Sequence, residues 1–206
     1  MAATATICPG CRAGLRRLGS AADQFLAPDP SLVVGDALIL GLAAFAHRDA
    51  AQRILRRLKY GGGRRLAGPL AEMALPALRR LLAVTGPATL VPVPLHRSRQ
   101  RDRGYNQAEL LATELARRAN VAVWSALVRR RATQRQHGLD RATRLRNLRQ
   151  AMAVSAVPPP EGIPGGPTVV LVDDILTTGA TLEACAVILR GAGIEAVYGF
   201  AVAREV

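Results

Sequence analysis

Residues 168–193 read TVVLVDDILTTGATLEACAVILRGAG, and no other stretch restricts the fold as tightly. The run TVVLV (Thr168 to Val172) is apolar on both of its alternating faces, so it is expected as a central parallel strand covered on both sides. It hands over to an amphipathic stretch of helical spacing. The rest of the chain alternates in the same way. Asp36 to His47 reads as a strand, and Asp49 to Tyr60 as a helix with an aspartate cap, stopped by Gly61-Gly62-Gly63. Arg64 to Val84 is a second helical stretch, with an interruption or kink expected near Pro69 and Pro76. Thr89 to His96 is a short apolar strand, Tyr105 to Arg118 a helix, and Ile194 to Glu205 a closing strand. This alternation predicts an α/β domain with a mainly parallel sheet flanked by helices.

The junction after TVVLV carries the chemistry. Asp173 and Asp174 are expected at the carboxyl edge of the strand, where open α/β sheets bind ligands. Two adjacent carboxylates are costly to bury unpaired. They are therefore expected to project into a solvated crevice, as acceptors for a cis-diol or near a divalent cation. Thr177, Thr178, Gly179, Ala180 and Thr181 then open a helix, whose first N–H groups lack partners and attract phosphate. Together the two features describe a site for a sugar phosphate. A lone aspartate before a threonine-rich turn is ordinarily a helix cap; here the whole string is present, and neither a Walker A loop nor a GxGxxG fingerprint competes with it.

The formal net charge is +13, and Lys59 is the only lysine among the 28 basic residues. Codon bias alone would give an arginine excess, yet such a charge also favours polyanionic partners, either phosphorylated small molecules or nucleic acid. No apolar run reaches the roughly 18–20 residues that span a bilayer, and no signal peptide is legible. With three cysteines and no disulfide framework, the expected location is the cytoplasm.

The thirteen positions VVLVDDILTTGAT resemble the 5-phosphoribosyl-1-pyrophosphate (PRPP) signature of type I phosphoribosyltransferases. VPVPLHRSRQRDRGYNQAELLA (Val91 to Ala112), RRRATQRQHGLDRATRLRNL (Arg129 to Leu148) and LKYGGGRRLA (Leu58 to Ala67) narrow this resemblance to ComF/GntX-type proteins. These phosphoribosyltransferase-like proteins are linked to DNA uptake in competent bacteria and to the use of DNA as nutrient. The resemblance covers about residues 36–206. It implies a type I phosphoribosyltransferase-like sheet, with a small hood built from the N-terminal part and the basic segment. It also implies Mg²⁺-dependent transfer of a phosphoribosyl group from PRPP with release of pyrophosphate.

Carried over position by position, the resemblance gives Asp173 and Asp174 the ribose hydroxyls and Thr177 to Thr181 the 5′-phosphate. His96, Arg97, Arg103, Gly104 and Asn106 would hold pyrophosphate, and Asn106 can equally be read as a helix cap. Three readings fit the basic segment containing Arg129, Arg130, Arg131 and Gln136. It can be a loop that closes over the site, a track for single-stranded DNA, or a solvated surface. The DNA reading goes with a rival function: an uptake accessory that works with a helicase-like partner and keeps the PRPP site as a regulatory or relic feature.

Residues 1–31 read as a separate segment ahead of a domain at 32–206. CPGC places Cys8 and Cys11 as in one knuckle of the zinc module that ComF-type proteins commonly carry, and structural zinc needs four ligands. An incomplete set is expected. Either the module has been lost, or the recorded start is downstream of the real one; two chains pairing their CxxC motifs is a further route to zinc.

Overall fold

The computed structural model describes residues 7–19, 32–60, 62–131, 141–159 and 168–206. Helix α1 (Pro9–Ala13) precedes strands β1 (Leu32–Val33) and β2 (Leu40–Ala46). Helices α2 (Asp49–Tyr60) and α3 (Ala67–Thr85), joined by a 3-10 turn at Gly63–Leu66, lead to β3 (Thr89–Pro92). Then come α4 (Arg97–Arg103), α5 (Gln107–Ala119), β4 (Leu127–Arg129), α6 (Arg141–Ala151) and β5 (Met152–Val154). The chain closes with β6 (Thr168–Leu176), α7 (Ala180–Gly191) and β7 (Ala196–Arg204). The main sheet has the order β1-β2-β7-β6-β3. All its pairings are parallel except that of β1, which joins the edge antiparallel. β4 and β5 form a separate antiparallel pair.

β6 lies between β7 and β3, and Val169, Val170, Leu171 and Val172 have no exposed surface. Strand alternation divides them between two cores. Val170 and Val172 pack with Phe45, Phe200 and the buried faces of α2, α3 and α5. Val169 and Leu171 pack with Val197, Ala201 and the α7 residues Leu182, Cys185 and Leu189. The result is the expected three-layer α/β arrangement.

α2 forms where the sequence places it because Ala50, Ala51, Ile54, Leu55 and Leu58 recur on one helical face and are buried. Burying Leu55 and Leu58 completely contributes roughly 2 kcal/mol each. The helix stops where Gly62 turns left-handed (φ 63°) and Gly63 backs onto the Arg57 carbonyl, so closely that a Cβ would lie 2.4 Å from that oxygen. Any side chain at Gly63 would push this turn away.

α3 is continuous through both prolines, so the helix is not interrupted there. Pro69 falls in the first turn, where its missing N–H has no helical acceptor to lose. Pro76 forfeits one bond, and the buried face from Leu70 to Leu81 offsets the loss.

The basic segment holds more regular structure than its composition suggested. β4 opens it, and α6 and β5 close it by packing on α7 through Leu148 and Met152. These elements form a hood over the α7 side of the sheet. Gln136 lies outside the described residues. At the N-terminal side, Leu15 and Leu18 are buried, and the Arg17 guanidinium lies 5.6 Å from the Phe45 ring centre.

Candidate functional site

β3 ends at Pro92 opposite Val172, where the Val93 N–H donates to the Val172 carbonyl at 2.9 Å. β6 continues to Leu176, paired on the β7 side through Asp173–Ala201 and Leu176–Arg204. The two aspartates therefore lie within the strand and not past its end. Charge marks the limit of full burial at Val172, but the β7 ladder keeps the backbone extended beyond it. Over this length the other edge of β6 faces the loop after β3.

Alternation then separates the two carboxylates, which the sequence suggested would project together into solvent. Asp174 shares the parity of Val170 and Val172 and turns towards α2. It is 8% exposed, and its Oδ2 lies 2.7 Å from Lys59 Nζ in an ion pair that lacks aligned hydrogen-bond geometry. Asp173 shares the parity of Val169 and Leu171 and turns towards α7 and the hood. Its Oδ1 accepts from the Asp174 N–H at 2.8 Å. Burial, reinforced by the charge of Asp174, pushes the Asp173 carboxyl up to about 7; the Asp174 N–H and Lys59 oppose the shift.

Two groups answer Asp173, Cys185 from α7 and Arg129 from the hood. Burial, and then the charge of Asp173, push the Cys185 thiol far up, so it stays neutral. Arg129 is half-buried on β4. Burial first and the like charge of Arg99 second hold its guanidinium below its ordinary value, while Cys185 and Asp173 pull the other way. Arg129 thus belongs to the surroundings of Asp173, whereas Arg130 and Arg131 are exposed.

The turn after β6 shows Thr177 and Thr178 exposed and Thr181 half-buried. Thr178 Oγ1 accepts from the Ala180 N–H at 3.4 Å. Gly179 is the N-cap of α7 with φ 78°, and a Cβ there would lie 2.9 Å from Val33 Cγ1. Both the backbone angle and this close neighbour require glycine. Farther along α7, the buried Glu183 carboxylate accepts from the N–H groups of Ala37 and Leu38 at 2.9 and 3.0 Å, tying the β1–β2 loop to α7.

The loop after β3 is held by its own side chains. His96 caps α4, its Nδ1 accepting from the Ser98 N–H at 3.2 Å, and Gly104 ends that helix with φ 78°. Asn106 caps α5 through Oδ1 and donates from Nδ2 to the Val93 carbonyl at 3.0 Å, so both ends of its amide serve the protein. Arg97 is exposed. Arg103 donates to Gln107 Oε1 and to Tyr60 Oη, each at 3.0 Å, with its guanidinium 4.9 Å from the Tyr60 ring centre.

Between this loop and the end of α2 lies a cavity of about 460 Å³, lined by Lys59, Tyr60, Arg99, Asp102, Arg103 and Tyr105. Three cations face one carboxylate there. The cavity meets the acid pair at Lys59. Sequence reasoning passed over Lys59 as a site residue. The available signal was its singularity: one lysine in a chain otherwise basic through arginine, inside the LKYGGGRRLA motif.

The phosphoribosyl transferase domain family matches residues 106–204, a span that includes the whole of β6 and α7. Competence protein F of Haemophilus influenzae is 34% identical over 157 residues, which cover 73% of this chain and 66% of that protein. DNA utilization protein YhgH of Escherichia coli strain K12 is 33% identical over 156 residues with the same shares, and YhgH of Salmonella typhi matches equally well. This chain belongs to the ComF-type phosphoribosyltransferase family. Its match spans about two thirds (66%) of the length of these relatives. The fold is accordingly of the type I phosphoribosyltransferase class. No helix among the described residues is long and apolar enough to cross a membrane.

The ComF-type site can be tested for the metals its family implies. Asp173 and Asp174 are hard oxygen donors, but Lys59 already engages one Asp174 oxygen and the Asp174 N–H one Asp173 oxygen. Among the described residues no third His, Cys, Asp or Glu completes a metal-binding group. The acid pair therefore does not form a metal site by itself among the described residues. At the N-terminus, Cys8 and Cys11 supply two of the four donors structural zinc requires. Cys8 Sγ accepts from the Cys11 N–H, and that bond holds its thiol below the ordinary value.

Proposed function

We propose that this ComF-type chain binds PRPP at the carboxyl end of β6 and transfers its phosphoribosyl group to a nucleophile, releasing pyrophosphate. The supporting observation is the succession of three chemistries along one path. A cationic cavity at Lys59, Arg99 and Arg103 adjoins the acid pair, and the threonine-rich N-terminus of α7 follows on the same strand. PRPP presents matching groups: a diphosphate, a ribose diol and a 5′-phosphate.

In this reading Asp173 and Asp174 accept hydrogen bonds from the ribose hydroxyls. Thr177, Thr178, Thr181 and the first N–H groups of α7 hold the 5′-phosphate. The bond from C1 of the ribose to pyrophosphate breaks, its electron pair leaves with pyrophosphate, and a bond from C1 to the acceptor forms. In this reading Arg99 and Arg103, which line the cavity, would offset the negative charge that grows on the leaving group. Mg²⁺ carried by the ligand, and met by Asp173 and Asp174, would supply further charge neutralisation there. Calorimetric titration with PRPP, with and without Mg²⁺, tests the reading. Magnesium-dependent binding is expected, and a folded protein that does not bind PRPP overturns it.

A second reading draws on Arg130 and Arg131, exposed at the end of β4, and Arg146, exposed on α6. In that reading the chain contacts single-stranded DNA and a helicase-like partner, and PRPP regulates it. The names of its relatives, competence and DNA utilization, point the same way. Binding to an oligonucleotide with a steep inverse dependence on salt supports this reading, and binding indifferent to salt removes it.

A further inference from the structure

We infer that Lys59 is a positioning residue that bridges the acid pair to a diphosphate group in the adjoining cavity, an assignment that rests on the PRPP reading. Lys59 lies outside the matched family domain, in the last turn of α2. Its side chain is 20% exposed and its ammonium reaches Asp174 at 2.7 Å, while the same residue lines the cavity shared with Arg99 and Arg103.

The choice of lysine fits the task. An ammonium is a compact charge with three donors, so it can serve a carboxylate on one side and a second anion on the other. A guanidinium fork would tend to commit both of its prongs to Asp174. In a chain whose other basic residues are all arginine, the one lysine stands where a cation must touch two anions.

The position of Lys59 is set from both sides. The preceding Leu58 carbonyl accepts from Tyr105 Oη, and the following Tyr60 Oη accepts from Arg103. Both donors belong to the stretch after β3 that also supplies Arg99 to the cavity. The loop facing the diphosphate therefore fixes the residue that contacts Asp174.

The test uses inorganic pyrophosphate and ribose 5-phosphate as separate probes in calorimetry, on the wild-type chain and on Lys59→Gln and Lys59→Arg. Lys59→Gln should weaken pyrophosphate binding by about tenfold or more and change ribose 5-phosphate binding by less than about twofold. Lys59→Arg should recover part of the loss. Unchanged pyrophosphate affinity in Lys59→Gln, or equal losses for both probes, overturns the inference. Wild-type protein that binds ribose 5-phosphate and PRPP but not pyrophosphate overturns it too, and leaves the PRPP reading standing. Failure to bind PRPP and ribose 5-phosphate sinks that reading instead. Should Lys59→Gln not fold, the wild-type chain still decides: amine-directed acylation can modify only this side-chain amine. Pyrophosphate should slow that modification, and an unchanged rate rejects the bridge.

Discussion

Lys59 Nζ lies 2.7 Å from Asp174 Oδ2, joining the last turn of α2 to the central strand of the sheet. Both side chains are largely buried, so removing one strands the other's charge. Asp174→Asn should destabilise the chain by roughly 3 kcal/mol, whereas an acid standing free in solvent would tolerate the change. Adding Lys59→Met should restore part of the loss. Urea unfolding of the two single variants and the double variant measures this, and strictly additive losses would show that the pair does not couple.

The raised Asp173 carboxyl makes stability depend on pH. In the folded chain it keeps its proton up to about 7, while the unfolded chain releases it near 3.8. This favours folding fully below the lower value and is lost as pH rises through the upper one. Unfolding free energies of wild type and Asp173→Asn should therefore diverge between these values, the wild type falling relative to the variant, and run parallel above pH 7. Profiles parallel throughout would contradict a carboxyl held protonated in the fold.

Gly179→Ala should lower stability by about 1–2 kcal/mol, because a left-handed residue would acquire a side chain. The new Cβ would also press on Val33 at 2.9 Å. Val33→Ala in the same chain should relieve the crowding and leave the backbone strain. A thermal melting temperature unmoved by Gly179→Ala would refute this account of the turn.

The neighbouring arginines at and just past the end of β4 should separate by function. Arg129 is half-buried and electrostatically coupled to Asp173, so Arg129→Gln should weaken PRPP binding and spare any DNA binding. Arg130→Gln and Arg131→Gln should do the reverse, each lowering the salt slope of oligonucleotide binding by about 1 if it contacts a phosphate. Arg129→Gln with unaltered PRPP affinity would detach it from the site.

Much of this arrangement was legible beforehand. The limits of α2 and the central place of β6 follow from periodicity and apolar runs, which are local signals. The junction of β6 with α7 follows from an equally local string of residues. The partner of Asp174 was not legible, because Lys59 is far away in sequence and only the packing of α2 on the sheet brings it there. Nor was α6, since an arginine-rich stretch without a clear apolar face gives little helical signal and packs on α7 through Leu148. The divergence of the two aspartates could have been read from strand alternation alone. It was missed because the strand was ended at Val172, four residues short of Leu176.

That divergence has a mechanical consequence. One acid answers to α2 and the other to the hood and α7, so in the PRPP reading each side of the sheet would hold half of the grip. A ribose held by both acids would resist sliding of one layer past the other. Ligand in this site would act as a clip across the carboxyl edge of the sheet, and shear between its two faces would be felt first as a loosened ribose.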